Sequence, residues 1–119
     1  MDAATLAALS ARVAARLLED EAAPAQGAVE EMLSSAYDRV SIRLAPYPVP
    51  DAALTIVVEV AVKALRLRGY EGSLSESMGD GGSVSNSFVD DVLDAYENDL
   101  AALRRSLSSS TGTAGIRFF

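Results

Sequence analysis

The chain has 119 residues, half of them hydrophobic, with ten basic and seventeen acidic side chains and a formal net charge of -7. This length suits one domain with one modest core, and the negative charge disfavours a nucleic-acid-binding protein because such a surface repels phosphate backbones. The sequence has no cysteine and no histidine, which excludes disulfides, the usual zinc sites and the Ser-His and Cys-His nucleophile pairs.

The first two predicted helices follow from apolar residues at steps of three and four. One helix is predicted over about residues 3–20, with Arg12 and Arg16 on the side opposite its apolar stripe. The other is predicted over about 26–45, and it opens with acids and closes with bases, as the helix dipole favours. The prolines of APYPVP, residues 45–50, then stop this helix in a stiff, extended corner.

A third helix is predicted after Asp51, a good N-cap residue, with Gly69 as the left-handed residue that ends it. Between Ala52 and Leu67 the side chains are apolar on nearly every side. The interruptions are Thr55, Glu59, Lys63 and Arg66. Such a helix must be buried on several sides, and in so small a domain we expect one face to be covered by a neighbouring subunit. Glu59 and Lys63 read as an ordinary pair one helical turn apart.

A Ser-x-x-Asp capping box at Ser87 predicts a fourth helix that continues to about residue 107. The predicted fold is therefore all-α, a small bundle of about four helices at residues 1–107. Residues 108–119 are predicted to form an extended C-terminal arm, because a serine and glycine spacer there leads to a hydrophobic tip. The tip consists of Ile116, Arg117, Phe118 and Phe119.

Evidence for catalysis is weak. Asp90, Asp94 and Glu97 share one face of the fourth helix and in principle suit a divalent cation, but the ordinary interpretation is a favourable helix N-terminus followed by a solvated face. GDGGS at 79–83 lacks the lysine of a phosphate-binding loop. We therefore expect no enzyme activity, no metal and no cofactor. We also expect no membrane association, because the apolar stretches are short and no secretory signal is recognisable.

The stretch RGYEGSLSESMGDGGSVSNSF, residues 68–88, is too long for an ordinary connection between helices. Composition alone favours a disordered surface loop. Placed between an apolar helix and VDDVLDAYENDLAALRR, it resembles the signature region of the small head-tail connector proteins of long-tailed bacteriophages, also called adaptor or head-completion proteins. The similarity covers about residues 25–105 and is most specific in the succession G-Y/F-E-G, S-E-S and G-G-S-x-S-x-S-F.

This resemblance implies a structural subunit that forms a closed ring with copies of itself, matching the twelvefold portal beneath which it lies. The ring would extend the DNA channel without binding DNA specifically, and a tail-side neck or tail-completion protein would dock on it. The implied location is the virion neck, after assembly in the host cytoplasm. The residues that match the family's assembly loop are Gly69, Tyr70, Glu71, Gly72, Ser75, Ser77, Gly82, Ser83, Ser85 and Phe88.

Two further interpretations remain open beside this one. The C-terminal tip, residues 116–119, is our own candidate for the portal anchor, since a short apolar end can occupy a partner's groove or sheet edge. An alternative function is a monomeric or dimeric helical adaptor or chaperone for phage assembly. A carboxylate-dependent metal enzyme or nucleotide hydrolase is a more distant rival.

Overall fold

The computed structural model describes residues 1–17, 24–76 and 88–113, with the backbone alone at 69–76 and 110–113. Within these ranges the regular structure is entirely helical, so the predicted all-α class is confirmed. The first three helices are α1 (Ala3–Arg16), α2 (Gln26–Leu44) and α3 (Asp51–Glu76).

A fourth helical segment follows at residues 88–113. It consists of a short helix at 88–93 (α4), a 3-10 turn at Asp94–Tyr96 and a final helix at Glu97–Thr113 (α5). Leu93 and Glu97, on either side of the turn, keep right-handed helical backbone angles. The three pieces therefore form one continuous rod with a tighter turn inside it.

Helix α1 begins at a side-chain cap and ends sooner than predicted. The Asp2 carboxylate accepts a hydrogen bond from the Thr5 backbone N–H at 2.7 Å. Hydrogen bonds from the Thr5 side chain and backbone lower the pKa of this carboxyl. At the other end Leu17 is already extended, so the predicted continuation to residue 20 is wrong. The acids that follow at 19–21 would oppose the negative end of a longer helix.

Helix α2 has nearly the bounds that its sequence predicted, and the proline corner stops it at Leu44. The corner begins with a turn, in which the Tyr47 N–H donates to the Leu44 carbonyl, and the Ala45–Pro46 peptide is cis. The next helix starts directly after Pro50.

Helix α3 is longer than predicted at both ends. Asp51 is its first residue instead of its cap, and Gly69 lies inside the helix instead of ending it. The predicted left-handed cap is therefore wrong, and residues 68–76 of the predicted loop are helical. No proline lies in α3, and a glycine costs a helix only about 1 kcal/mol relative to alanine, against about 3 kcal/mol for proline. Residues 77–87 lie outside the described ranges, and so does the capping box at Ser87.

Helix α5 continues to Thr113, six residues beyond the predicted end at 107. The first half of the predicted extended arm is therefore helical, which corrects the sequence prediction. Serine lowers helix stability only slightly, and α5 contains one glycine and no proline. The C-terminal tip, residues 116–119, lies outside the described ranges.

The core runs along α2, which packs against α1, α3 and α5. In α3 the side chains of Val57, Val58 and Val60 are fully buried within this single chain. These buried valines therefore need no neighbouring subunit to cover them, whereas Leu67, further along α3, is 37% exposed. The large hydrophobic side chains exposed in these ranges are Met1 (43%), Ile42 (61%) and Leu67 (37%). Among the described helices, none has both the length and the apolar composition to cross a lipid bilayer.

Candidate functional site

Of the three carboxylates that the sequence placed on one face of the fourth segment, Asp90 and Glu97 meet arginines of α2, and Asp94 is exposed. Asp90 lies 3.4 Å from the Nε of Arg39 and 3.9 Å from Nη2 of Arg43. Glu97 accepts a hydrogen bond from the Nε of Arg43 at 2.6 Å. Across the described ranges no group of three or more acidic side chains is placed to hold a metal ion. Asp90 and Glu97 therefore join the fourth segment to α2 instead of forming a cation site.

A second polar contact holds α5 against the proline corner. The Nε of Arg104 donates to the Ala45 carbonyl at 3.0 Å, and its guanidinium carbon lies 5.9 Å from the centre of the Tyr47 ring. Together with the Arg43 pairs, this contact sets how the fourth segment lies along α2.

Tyr96 joins the fourth segment to α3 through a chain of hydrogen bonds. Its hydroxyl accepts a hydrogen bond from Lys63 Nζ at 2.7 Å and donates one to Glu59 Oε1 at 2.9 Å. Lys63 Nζ also lies 4.9 Å from the centre of the Tyr96 ring. Since Tyr96 is only 8% exposed, its hydroxyl needs protein partners. The prediction of a simple Glu59 and Lys63 pair is corrected, because Tyr96 stands between them.

A surface groove with a volume of about 160 Å³ lies beside the Lys63–Tyr96–Glu59 hydrogen bonds, between the end of α1 and the middle of α3. We call it the α1–α3 groove. Its lining residues are Arg16, Glu59, Val62, Lys63 and Arg66. Arg66 also joins the two helices, because its Nη2 donates to the Arg16 backbone carbonyl at 3.3 Å. Of the described residues, three cations and one carboxylate therefore line this small space.

The arginines of α1 do not point away from the core as predicted. Arg12 crosses to α3, where its Nη2 donates to Thr55 Oγ1 at 2.8 Å, and Arg16 lines the α1–α3 groove. Arg12 and Arg16 lie three residues after the buried Leu9 and Val13, so each lies beside the apolar stripe of α1 and not opposite it. The sequence does carry a signal for this contact, because α1 and α3 each have two basic residues about one turn apart. They are Arg12 and Arg16 in α1, and Lys63 and Arg66 in α3.

Comparison with known proteins assigns this chain to no group. No family model matches it. No curated protein and no solved structure matches it either. What can be said of its function therefore rests on its residues and their geometry.

The residues predicted for the assembly loop fall into three groups. Gly69, Tyr70, Glu71, Gly72 and Ser75 belong to the last turns of α3, where the backbone is helical. Phe88 is 6% exposed and belongs to the core. The remaining loop residues lie outside the described ranges; they are Ser77, Gly82, Ser83 and Ser85. The predicted portal anchor at 116–119 lies outside them as well.

Proposed function

We propose that this chain is the subunit of a head-tail connector ring of a phage or phage-like particle, with a structural role and no catalysis. The observation that carries the proposal is the order of three short motifs in the sequence. G-Y-E-G lies in the last turns of α3, S-E-S spans its end, and G-G-S-V-S-N-S-F leads into the fourth segment. An all-helical fold in the described ranges is what such a subunit requires.

The charge of the chain supports the same function. A net charge of -7 suits the wall of a conduit for DNA, because a wall that attracted phosphates would slow the passage of DNA. In this proposal the ring has twelve copies, contacts the portal on one side and receives a tail-side neck or tail-completion protein on the other. The protein then belongs to the virion neck.

The closed core limits how the copies can hold one another. The described surface offers few exposed apolar side chains, so subunit contacts there would have to be polar. In a ring each copy presents one patch to a different patch on the next copy. We assign the apolar share of these contacts to residues 77–87 of the predicted assembly loop and to the C-terminal tip, residues 116–119.

Electron microscopy of the purified chain, alone and mixed with its portal protein, tests the proposal. We expect closed rings whose symmetry matches the portal, and labelled chains at the neck of intact particles. A variant that lacks residues 116–119 should keep its helical circular dichroism signal and attach to the portal more weakly. Chains found only away from the neck would overturn the proposal, and unchanged attachment of the shortened variant would overturn the anchor.

A second candidate is a monomeric or dimeric helical adaptor or chaperone for phage assembly. The observation in its favour is that one chain buries Val57, Val58 and Val60 of α3 without help from a neighbour. Light scattering separates the two candidates. A species of one or two copies, both with and without portal protein, favours the adaptor, and a multi-copy complex favours the ring.

A further inference from the structure

We propose that the α1–α3 groove is a binding site for one phosphate group, with Arg16, Lys63 and Arg66 as its ligands. The proposal does not depend on the connector function, because it concerns contacts within one chain. The net charge of the protein, -7, repels phosphate as a whole, so a phosphate site requires a local group of basic residues.

The positive charge of the groove favours a phosphate group. Among the described residues, the lining of this groove of about 160 Å³ contains three of the ten basic residues of the chain and one acid, Glu59. The formal charge of these described lining residues is therefore +2, on a chain whose net charge is -7. A phosphate group carries about -1.5 to -2 at neutral pH and has at least three acceptor oxygens. A carboxylate brings one charge and two oxygens, so it matches three basic ligands less well.

The position of the donors also favours a phosphate group. Lys63 is held by the hydroxyl and ring of Tyr96, and its ammonium group keeps two further N–H donors. Arg66 is held at the groove by its bond to the Arg16 carbonyl. These two cations are therefore placed before any ligand arrives, which reduces the entropy lost on binding.

The guanidinium of Arg16 is open to a ligand. It has no hydrogen-bond or ion-pair partner among the described residues, and it is exposed beside the groove. By contrast, Arg39 and Arg43 pair with Asp90 and Glu97. Arg16 is therefore the groove cation whose guanidinium is open to a ligand.

Titration of the full-length chain with inorganic phosphate, followed by backbone amide NMR at constant ionic strength, tests the site. We expect saturable shifts at α1 and α3 residues around the groove. Arg16→Gln should weaken phosphate binding about fivefold, which corresponds to one charge-assisted hydrogen bond at an exposed site. Arg105→Gln is the matched control, because Arg105 is equally exposed but lies on α5 away from the groove. Lys63→Gln provides a second groove variant, with its fold checked by circular dichroism.

Two further probes identify the source of the phosphate. If phosphoserine binds as tightly as inorganic phosphate and Arg16→Gln weakens the binding of both, the site is supported and the ligand is a phosphate monoester. If only inorganic phosphate binds, the site is supported and the ligand is a small phosphate. Succinate that binds as tightly as phosphate would overturn the proposal. Shifts that do not saturate, or an equal effect of Arg16→Gln and Arg105→Gln, would overturn it as well.

Discussion

Replacing Tyr96 by phenylalanine tests the polar chain that joins the fourth segment to α3. The change removes one hydroxyl and leaves the buried ring in place. Two hydrogen bonds to charged groups are lost, one from Lys63 at 2.7 Å and one to Glu59 at 2.9 Å. A shielded bond of this kind contributes about 1.5–3 kcal/mol, but Lys63 is exposed and Glu59 half-buried, so water can hydrate both after the change. We therefore expect the free energy of unfolding to fall by about 1–2 kcal/mol.

Urea unfolding followed by circular dichroism measures this loss. Tyr37→Phe is the matched control, because Tyr37 is partly buried against the same core and its hydroxyl makes no hydrogen bond to the described residues. The control should change the free energy of unfolding by less than about 0.5 kcal/mol. A double-mutant cycle with Glu59→Ala, which removes the acceptor of the Tyr96 hydroxyl, should show a coupling of about 0.5 kcal/mol or more. Equal losses in the two tyrosine variants, or no coupling to Glu59, would refute the bridging role of the hydroxyl.

Gly69→Ala should raise the free energy of unfolding in urea by about 0.5–1 kcal/mol, because the residue lies inside α3; a decrease would restore the left-handed cap. Leu33→Ala, at a fully buried position, should lower this free energy by about 2–5 kcal/mol, whereas Ile42→Ala, at 61% exposure, should change it by less than about 0.5 kcal/mol; comparable losses would contradict the described core. Because the folded pKa of Asp2 lies below its ordinary value of 3.8, its cap is complete above pH 3.8 and is lost as the pH falls through the folded pKa. Protection of the Thr5 amide from hydrogen exchange should follow this change in the wild type and not in Asp2→Asn, and identical pH profiles would exclude the titration.

The sequence predicted helices well where a strong apolar stripe is bounded by strong signals. Helix α2 was placed within one residue of its observed end, because prolines 46, 48 and 50 forbid its continuation. The ends of α3 and α5 were missed for the opposite reason. Gly69 and the serines after residue 107 oppose a helix only weakly, and a helix already held by its packed turns can extend through them.

The burial of α3 shows a second limit of sequence reasoning. Its apolar composition correctly predicted contact on several sides, but composition does not say whether those contacts come from the same chain. On the side of α3 that carries Glu59 and Lys63 the contact comes from the same chain, because the ring and hydroxyl of Tyr96 lie against it. That contact depends on the angle at which the fourth segment crosses α3, and no periodicity in the sequence encodes this angle.

The α1–α3 groove could not be predicted for a related reason. Arg16 and Lys63 are distant in sequence and meet only because α1 packs beside the middle of α3. Each residue alone reads as an ordinary surface cation. Their significance as a site comes from the small volume that they share, which only the packed structure reveals.

The central position of α2 affects how this protein unfolds. Helix α2 contacts α1, α3 and α5, so the loss of any one of these helices would expose buried side chains of α2. We expect heating to disrupt the three contacts together, in one transition that tyrosine fluorescence and helical content report at the same midpoint. Ser108, near the end of α5, is exposed, and we expect its amide to exchange with solvent faster than the amides of the buried residues of α2.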